Sequence, residues 1–177
     1  MIFTETTVAG AMLVTAERLS DERGSFERVF CEREFAAAGL ETNWPQRSLS
    51  SNVRAGTLRG MHYAVTPAPE TKLINVSRGA IFDVILDLRP DSPTFLKWYG
   101  IKLTAGDGYS LYVPIGVAHG FQTLVDDTTV HYAISEFYDP TAARGVRWND
   151  PAFGIDWPVA EKRIVSTRDA SYPDFTP

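Results

Sequence analysis

The chain has 177 residues, of which 44% are hydrophobic and 22% charged, and this composition predicts a single soluble domain, 1–177, with a sizeable core. Its formal net charge of −5 argues against broad binding to nucleic acids or to anionic membranes, because both require a basic surface. The lone cysteine, Cys31, excludes an internal disulfide. The sequence shows neither a signal-peptide pattern nor an apolar stretch of the roughly 20 residues needed to cross a bilayer, so we predict a cytoplasmic protein.

The first part of the chain predicts short strands followed by one helix. Residues 1–30 alternate short β-type runs with polar residues, and residues 21–26 predict a turn that leads into another strand. Residues 31–39 are rich in alanine, carry acidic residues early and end on glycine, which predicts a short helix. Residues 43–54 are polar, and strand patterns return only after them.

The middle of the chain predicts a succession of strands. Short runs rich in β-branched and aromatic residues, separated by turn residues, cover positions 57–63, 73–77, 81–88, 95–103, 110–113, 120–124 and 128–136. We predict that Arg78 and Gly79 join the second and third runs as a hairpin. So many short strands favour an all-β sandwich or barrel, in particular a jelly roll. From Tyr138 onward, a tail with little regular structure is predicted to wrap around this body, held by Trp148 and Trp157.

The most informative motif is Gly56-Thr-Leu-Arg-Gly-Met-His62-Tyr, with Lys72 ten residues after the histidine. An arginine, an imidazole and an amine on predicted strands suit an anionic substrate from which a proton is removed. Strict alternation puts Arg59 and His62 on opposite faces of a strand. A shared site therefore requires a bulge near Gly60, or an arginine that reaches around the sheet edge.

The other two histidines differ in their surroundings. Alternation puts Tyr132 on one face of its strand and His131 on the other, which predicts a surface position for His131. The turn formed by Pro114 and Gly116 projects His119 from the start of a strand. The spacing around His119 resembles the second motif of the cupins.

Cupin metal sites also need a His-x-His pair and a glutamate from the first motif. Here the pair is broken, because His62 is followed by Tyr63 and Ala64. With only His62, His119 and at best Glu70 as ligands, a transition-metal site is underliganded. We therefore predict that the protein holds no metal.

Motifs along nearly the whole chain together resemble the dTDP-4-keto-6-deoxyglucose (dTDP-4-dehydrorhamnose) 3,5-epimerase family. In chain order they cover residues 56–62, 72–73, 83–95, 114–121, 135–138 and 145–151. The resemblance implies a cupin-type jelly-roll homodimer, with a short N-terminal helix and a wrapping C-terminal tail, that uses no metal or cofactor. It further implies a substrate that is a nucleotide-diphosphate 4-keto-deoxysugar, inverted at C3, C5 or both beside the ketone.

The resemblance also implies catalytic roles. A hydrogen next to a ketone is removable only if a base lies against it and the developing enolate oxygen is stabilised. By resemblance His62 is the base, Asp169 holds its imidazole, Lys72 stabilises the enolate and Tyr132 is the acid on the opposite face of the sugar. The alternatives are a core histidine, a solvated turn acid, a surface lysine and a core tyrosine.

Further positions match family residues that bind the substrate. Arg23, Arg59 and Arg168 match contacts to the diphosphate, the last in place of a more usual lysine, and arginine suits phosphate through its two-pronged guanidinium. Tyr138, and Phe26 from the neighbouring subunit, match aromatic residues that sandwich the base. Each of these two aromatic residues could equally be interface packing.

Other positions keep or lose contacts that the family makes with the nucleotide. Gln46 keeps the first residue of a Gln-x-Asn motif that reads thymine, and His119 is also assigned to substrate binding by resemblance. The family usually has polar residues where this chain has Ala64, Ala133 and Ala143. A different sugar or nucleotide is therefore an open alternative, as are a non-catalytic sugar-nucleotide-binding cupin and a metal-dependent cupin enzyme.

Overall fold

The computed structural model describes residues 1–176, in which fourteen strands form two six-stranded sheets and a separate hairpin. The elements are β1 Ile2–Glu5, β2 Met12–Thr15, β3 Arg18–Asp21, β4 Gly24–Glu27, α1 Glu32–Ala37, β5 Gln46–Asn52, β6 Thr57–Ala64, β7 Lys72–Arg78, β8 Ala80–Asp87, β9 Trp98–Thr104, β10 Tyr109–Val113, β11 Val117–Thr123, β12 Thr128–Ile134, β13 Ala143–Gly145, β14 Ile164–Val165 and α2 Thr167–Ala170. The first sheet has the order β1-β2-β10-β7-β12-β5, and the second has the order β13-β6-β11-β8-β9 with β14 added parallel to β6. In the described part of the chain, strands β3 and β4 pair only with each other.

The main core lies between the two sheets. Its fully buried side chains include Ile74 and Val130 from the first sheet and Ile81, Ile85 and Phe121 from the second. Apolar residues that alternate along facing strands thus meet in one shared layer, which is the arrangement of a sandwich of two mainly antiparallel sheets. The predicted all-β jelly-roll class is confirmed.

The single predicted helix is confirmed as α1. Phe35 is its buried residue, and its ring packs edge-on against Phe3 at a centroid distance of 5.2 Å. Gly39, at a φ of 71°, follows the helix and lets the chain turn away. No helix within residues 1–176 is both long enough and apolar enough to cross a membrane.

Two local predictions are wrong. The runs now assigned to β7 and β8 do not form a hairpin, because β7 pairs with β10 and β12 while β8 pairs with β9 and β11. Gly79, at a φ of 77°, turns the chain from the first sheet into the second, and a Cβ there would overlap Thr128. The polar segment 43–54 contains strand β5, an edge strand paired with β12. Most of its side chains are exposed, so it lacks the apolar alternation that marks an interior strand.

The tail after Tyr138 wraps the second sheet, as predicted. Trp157 is buried and donates a hydrogen bond from Nε1 to the backbone oxygen of Trp148, at 2.8 Å. The only regular elements in the described part of the tail, to residue 176, are the short β13, β14 and α2. Strand β14 joins β6 and delivers α2 to the same strand that carries His62.

Candidate active site

Strand β6 carries an irregularity at the centre of the site. His62 pairs with His119 of β11, whereas Arg59 pairs with Phe121, so Gly60 and Met61 together face the single residue between these partners. One extra residue in β6 reverses the alternation, which brings Arg59 and His62 to the same face. The predicted bulge is therefore confirmed.

A cavity of about 850 Å³ opens on this face. It brings together all four predicted catalytic residues and three of the predicted binding residues: His62, Lys72, Tyr132, Asp169, Arg59, His119 and Arg168. These residues come from β6, β7, β11, β12 and α2, so the cavity draws on both sheets and on the tail.

The imidazole of His62 and the carboxylate of Asp169 form a dyad. His62 Nε2 lies 2.7 Å from Asp169 Oδ1, and the other oxygen, Oδ2, accepts a hydrogen bond from the backbone of Gly60 at 3.2 Å. The side chain of Ser166 caps α2 by accepting a bond from the backbone nitrogen of Asp169. With its carboxylate fixed in this way, Asp169 favours the tautomer that carries hydrogen on Nε2, which leaves Nδ1 of His62 as the basic nitrogen.

Burial lowers the pKa of His62 below its ordinary value, and the neighbouring Asp169 opposes this effect without cancelling it. The imidazole is therefore neutral at neutral pH. A neutral imidazole that is half-exposed and held in one tautomer can act as a general base.

The ammonium of Lys72 lies close to the dyad. Its Nζ is 2.8 Å from Oε1 of Glu70 and donates a longer bond, of 3.4 Å, to the backbone oxygen of His62. The lysine is 7% exposed, so its charge acts in a largely desolvated part of the cavity. A fixed cation in such a place can stabilise a negative oxygen.

The phenol of Tyr132 and the ring of His119 pack edge-on, with centroids 5.7 Å apart. His119 Nε2 lies 2.6 Å from Oδ1 of Asp83, which is fully buried. Burial raises the pKa of Tyr132, and the charge of Asp83 raises it further, against a smaller opposing effect of Arg59. The phenol therefore keeps its proton at neutral pH and is available as a donor.

Two arginines line the cavity with part of each guanidinium engaged. Arg59 donates from Nε to Oδ1 of Asn52 at 2.8 Å, and Arg168 donates from Nε to the hydroxyl of Tyr172 at 3.0 Å. These bonds fix the direction of each guanidinium and leave terminal nitrogens to bind an anion.

A second, smaller cavity of about 160 Å³ adjoins the first and shares His62, Glu70 and Arg168 with it. Tyr138, which is 63% exposed, lies at this second cavity. Ala64 of β6 and Ala143 of β13 are direct cross-strand partners and also line it.

The remaining residues singled out in the sequence lie elsewhere. Ala133 lines a third cavity with Trp44 and His131, and it is not among the residues that line the active-site cavity. His131 is only partly buried, and its Nε2 lies 2.7 Å from the hydroxyl of Ser77. Gln46 lines neither active-site cavity, but its side-chain oxygen accepts a bond from the backbone of Tyr138 at 3.0 Å.

Arg23 and Phe26 belong to the β3–β4 hairpin and do not reach the cavity of their own chain. Phe26 is 72% exposed, and Arg23 pairs with Asp21 at the tip of the hairpin. These two residues line a shallow surface groove of the hairpin itself.

Sequence reasoning overlooked the residues that support the site. Asp83 behind His119, and Tyr172 beside Arg168, were not singled out, and Glu70 was considered only as a weak metal ligand. The spacing of Glu70 and Lys72, two residues apart before a strand, was a usable signal because such residues project to one side. Asp83 carries no comparable signal, since its partner lies 36 residues away in the chain.

No group of three or more histidine, cysteine, aspartate or glutamate side chains within residues 1–176 is arranged to hold a metal ion. The imidazoles of His62 and His119 are each directed to a carboxylate by Nε2.

Comparison with known proteins gives a consistent result. Residues 5–176 match the family model described as dTDP-4-dehydrorhamnose 3,5-epimerase. The chain is 40% identical over 172 residues to the dTDP-4-dehydrorhamnose 3,5-epimerase of Methanothermobacter thermautotrophicus, which covers 96% of this chain and 92% of that protein.

Solved structures extend the similarity. The crystal structure of dTDP-4-dehydrorhamnose 3,5-epimerase from Bacillus anthracis, with TDP and PPi bound, superposes with a TM-score of 0.94 at 40% identity, covering 98% of this chain and 99% of that one. A 3'-monoepimerase from Streptomyces bikiniensis, in complex with dTDP-quinovose, has a TM-score of 0.89 at 32% identity and covers 96% of this chain and 85% of its own. The chain is thus similar both to a 3,5-epimerase and to an enzyme that inverts one carbon.

Proposed function

The chain belongs to the dTDP-4-dehydrorhamnose 3,5-epimerase family, and we propose that it is an isomerase that inverts C3, C5 or both beside the 4-ketone of a dTDP-linked 4-keto-6-deoxysugar. The observation that carries this proposal is the convergence of a neutral imidazole, a protonated phenol and a buried ammonium in one cavity. A base, an acid and a cation are the three groups that epimerisation next to a ketone requires.

In the first step, His62 removes the hydrogen from the carbon next to the ketone. The electrons of the broken C–H bond form a C=C bond, and the ketone oxygen becomes an enolate oxygen. The proton goes to Nδ1, while Asp169 keeps the proton on Nε2 and stabilises the resulting imidazolium. Lys72 stabilises the enolate oxygen, an effect that is typically worth about 3 kcal/mol for one such donor.

In the second step, Tyr132 gives its hydroxyl proton to the opposite face of the same carbon. The C=C electrons form the new C–H bond, the ketone is restored and the phenolate remains on the enzyme. Exchange with solvent then returns a proton to Tyr132 and removes one from His62. The raised pKa of Tyr132 keeps the phenol protonated until the enolate forms, so that a proton is in place to be donated.

The arginines of the cavity bind the diphosphate of the substrate in this proposal. Arg59 and Arg168 each have a side-chain partner that fixes the guanidinium. The cavity also contains the carboxylates of Glu70 and Asp169, which repel a diphosphate. In this proposal the diphosphate lies by the arginines and the sugar ring by His62 and Lys72, and the positive charge of the two guanidinium groups supports it.

We further propose that the protein is a homodimer and acts as a single domain in the cytoplasm. The base of the nucleotide stacks on Tyr138, beside Gln46, and the β3–β4 hairpin of a second copy supplies Phe26 and Arg23. The support for this arrangement is the exposure of Phe26, which is 72%, on a hairpin that pairs with no other strand within residues 1–176.

The test is to incubate the protein with a panel of nucleotide-linked 4-keto-6-deoxysugars in deuterated water. Deuterium at C3 or C5, with inverted configuration in the NMR spectrum, is the expected result and identifies the carbons that react. The His62→Asn variant serves as the control for uncatalysed exchange. The proposal is wrong if the folded wild-type protein exchanges no hydrogen in any member of the panel.

A further inference from the structure

The cavity contains an ion pair of which one member, Lys72, stabilises the enolate in the mechanism above, whereas the other, Glu70, takes part in neither chemical step. Glu70 and Lys72 flank Thr71 at the start of β7, and their side chains lie 2.8 Å apart at Oε1 and Nζ. The chain is held firmly there, because Thr71 and Ser135 exchange two hydrogen bonds, at 2.8 and 3.1 Å. Both charged side chains therefore project from a fixed piece of backbone.

Both members of this pair are largely removed from water. The side chain of Lys72 is 9% exposed and that of Glu70 is 16% exposed. A buried ammonium is unfavourable unless an opposite charge compensates for the lost hydration. The other bond of Lys72, to the backbone oxygen of His62, is long at 3.4 Å and brings no full charge.

No other carboxylate that lines the cavity within the described residues is free to replace Glu70. Asp169 uses one oxygen for His62 and the other for the backbone of Gly60. The position of the Lys72 ammonium therefore depends on Glu70.

We propose that Glu70 is a positioning residue of the epimerase, which acts through Lys72 by holding the ammonium where the enolate oxygen forms. The inference rests on the proposed function, since it assigns Glu70 a part in that reaction. When the enolate forms, the ammonium lies between two negative oxygens, one supplied by Glu70 and one by the substrate. Because the ammonium is held before the reaction starts, little reorganisation is needed at that step.

The experiment compares kcat and KM of the wild-type protein with those of Glu70→Gln, which keeps the size and hydrogen-bonding capacity of the side chain but removes its charge. We expect kcat to fall by about tenfold while KM changes by less than about twofold, since the lost interaction acts in the transition state. Glu70→Asp, which restores the charge at a shorter reach, should recover part of kcat. Glu161→Gln, in a separate groove of the surface, is the matched control and should behave as the wild type.

A Lys72→Met background separates this role from a purely structural one. If Glu70 acts through Lys72, adding Glu70→Gln to Lys72→Met should change kcat by less than about twofold. An equal loss in both backgrounds, a rise in KM alone, or wild-type kinetics for Glu70→Gln would each overturn the inference.

Circular dichroism melting establishes that each variant is folded. If Glu70→Gln does not fold, Glu70→Asp takes its place: a loss of kcat that requires Lys72 supports the inference, and a loss of the same size without Lys72 overturns it. A wild-type protein that is inactive would instead contradict the proposed function. An active wild-type protein with a fully active Glu70→Gln variant overturns only the role of Glu70.

Discussion

Two histidines on adjacent strands each contact a carboxylate, and they differ in burial. His62 and His119 are direct cross-strand partners, with Nε2 lying 2.7 Å from Asp169 and 2.6 Å from Asp83, respectively. The side chain of His62 is 43% exposed, whereas that of His119 is 4% exposed. Similar chemical pairs can therefore have different uses: the accessible imidazole can exchange protons with a substrate, and the buried one supports the ring of Tyr132.

The acids of the two pairs differ as well. Both oxygens of Asp169 are hydrogen-bonded, whereas Oδ2 of Asp83 finds no donor within residues 1–176. An incompletely bonded carboxylate in a buried position costs stability. Its negative charge, however, helps to keep the proton on Tyr132. We infer that the His62–Asp169 pair takes part in the reaction, whereas the His119–Asp83 pair acts on Tyr132, whose pKa is raised by Asp83.

The largest expected effect comes from removing the accessible imidazole. His62→Asn should lower turnover by about a hundredfold or more, the range of a lost general base, with little change in melting temperature. His119→Asn is the matched variant and should lose more stability but less turnover than His62→Asn. Steady-state kinetics and thermal melting of both variants test the contrast, and a folded His62→Asn enzyme with wild-type turnover would remove the assignment of the base.

Tyr132→Phe should separate hydrogen exchange from inversion. Without the phenol, His62 can still remove a proton and return it to the same face, so deuterium enters from solvent while inversion falls by about a hundredfold. Folding should change by only about 1 kcal/mol, because one hydroxyl is lost and the ring is kept. NMR of the sugar in deuterated water reads both quantities. Inverted product at the wild-type rate would mean that another group, such as His119, is the acid.

Asp83→Asn tests the buried His119–Asp83 pair and should lower the rate less than the His62 and Tyr132 variants do. The amide oxygen can still accept from His119, but the negative charge beside Tyr132 is lost. We expect a fall in kcat of less than about tenfold, together with about 1–3 kcal/mol lower stability from an imperfectly bonded buried amide. Urea denaturation and steady-state kinetics measure the two effects. A loss of rate as large as that of His62→Asn would contradict the division between the two pairs.

The smallest effect expected is in the pH dependence of the wild-type enzyme. The base form of His62 is present above its pKa and is lost as pH falls through it, and this pKa is lowered by burial. The acid limb of kcat/KM should therefore have its midpoint below the ordinary histidine value of about 6.5.

Asp169→Asn sharpens the same measurement. Because Asp169 raises the pKa of His62, its replacement should move the acid limb to still lower pH while the maximum rate falls. A limb that moves to higher pH in this variant would show that His62 is not the group that titrates.

The sequence predicted those parts of the fold in which apolar residues alternate. It failed where that pattern is absent or ambiguous: β5 is an exposed edge strand, and the glycine turn after β7 is a corner between sheets. A glycine that permits a positive φ suits both a hairpin and a corner, and only the pairing of more distant strands decides between them.

The active site was predictable to the extent that chemistry constrains it. The bulge in β6 was predictable because the proposed site needs Arg59 and His62 on one face of the strand, whereas regular alternation puts residues three positions apart on opposite faces. The partnership of His62 and Asp169 joins residues 107 positions apart and came only from resemblance to a family. Asp83 was overlooked because an acid in an apolar strand gives no indication of which neighbour it meets.

The carboxylate that contacts the imidazole of His62 lies in α2, a four-residue helix that follows the two-residue strand β14. The two sheets are held by strands of up to eight residues, so the short segment that carries Asp169 should detach locally before the sheets do. When this segment detaches, His62 loses its partner and Gly60 loses its acceptor, although the sheets remain intact. Mild heating should therefore abolish activity at a temperature at which the circular dichroism spectrum is still that of the folded sheets. Cooling should restore activity without refolding of the core.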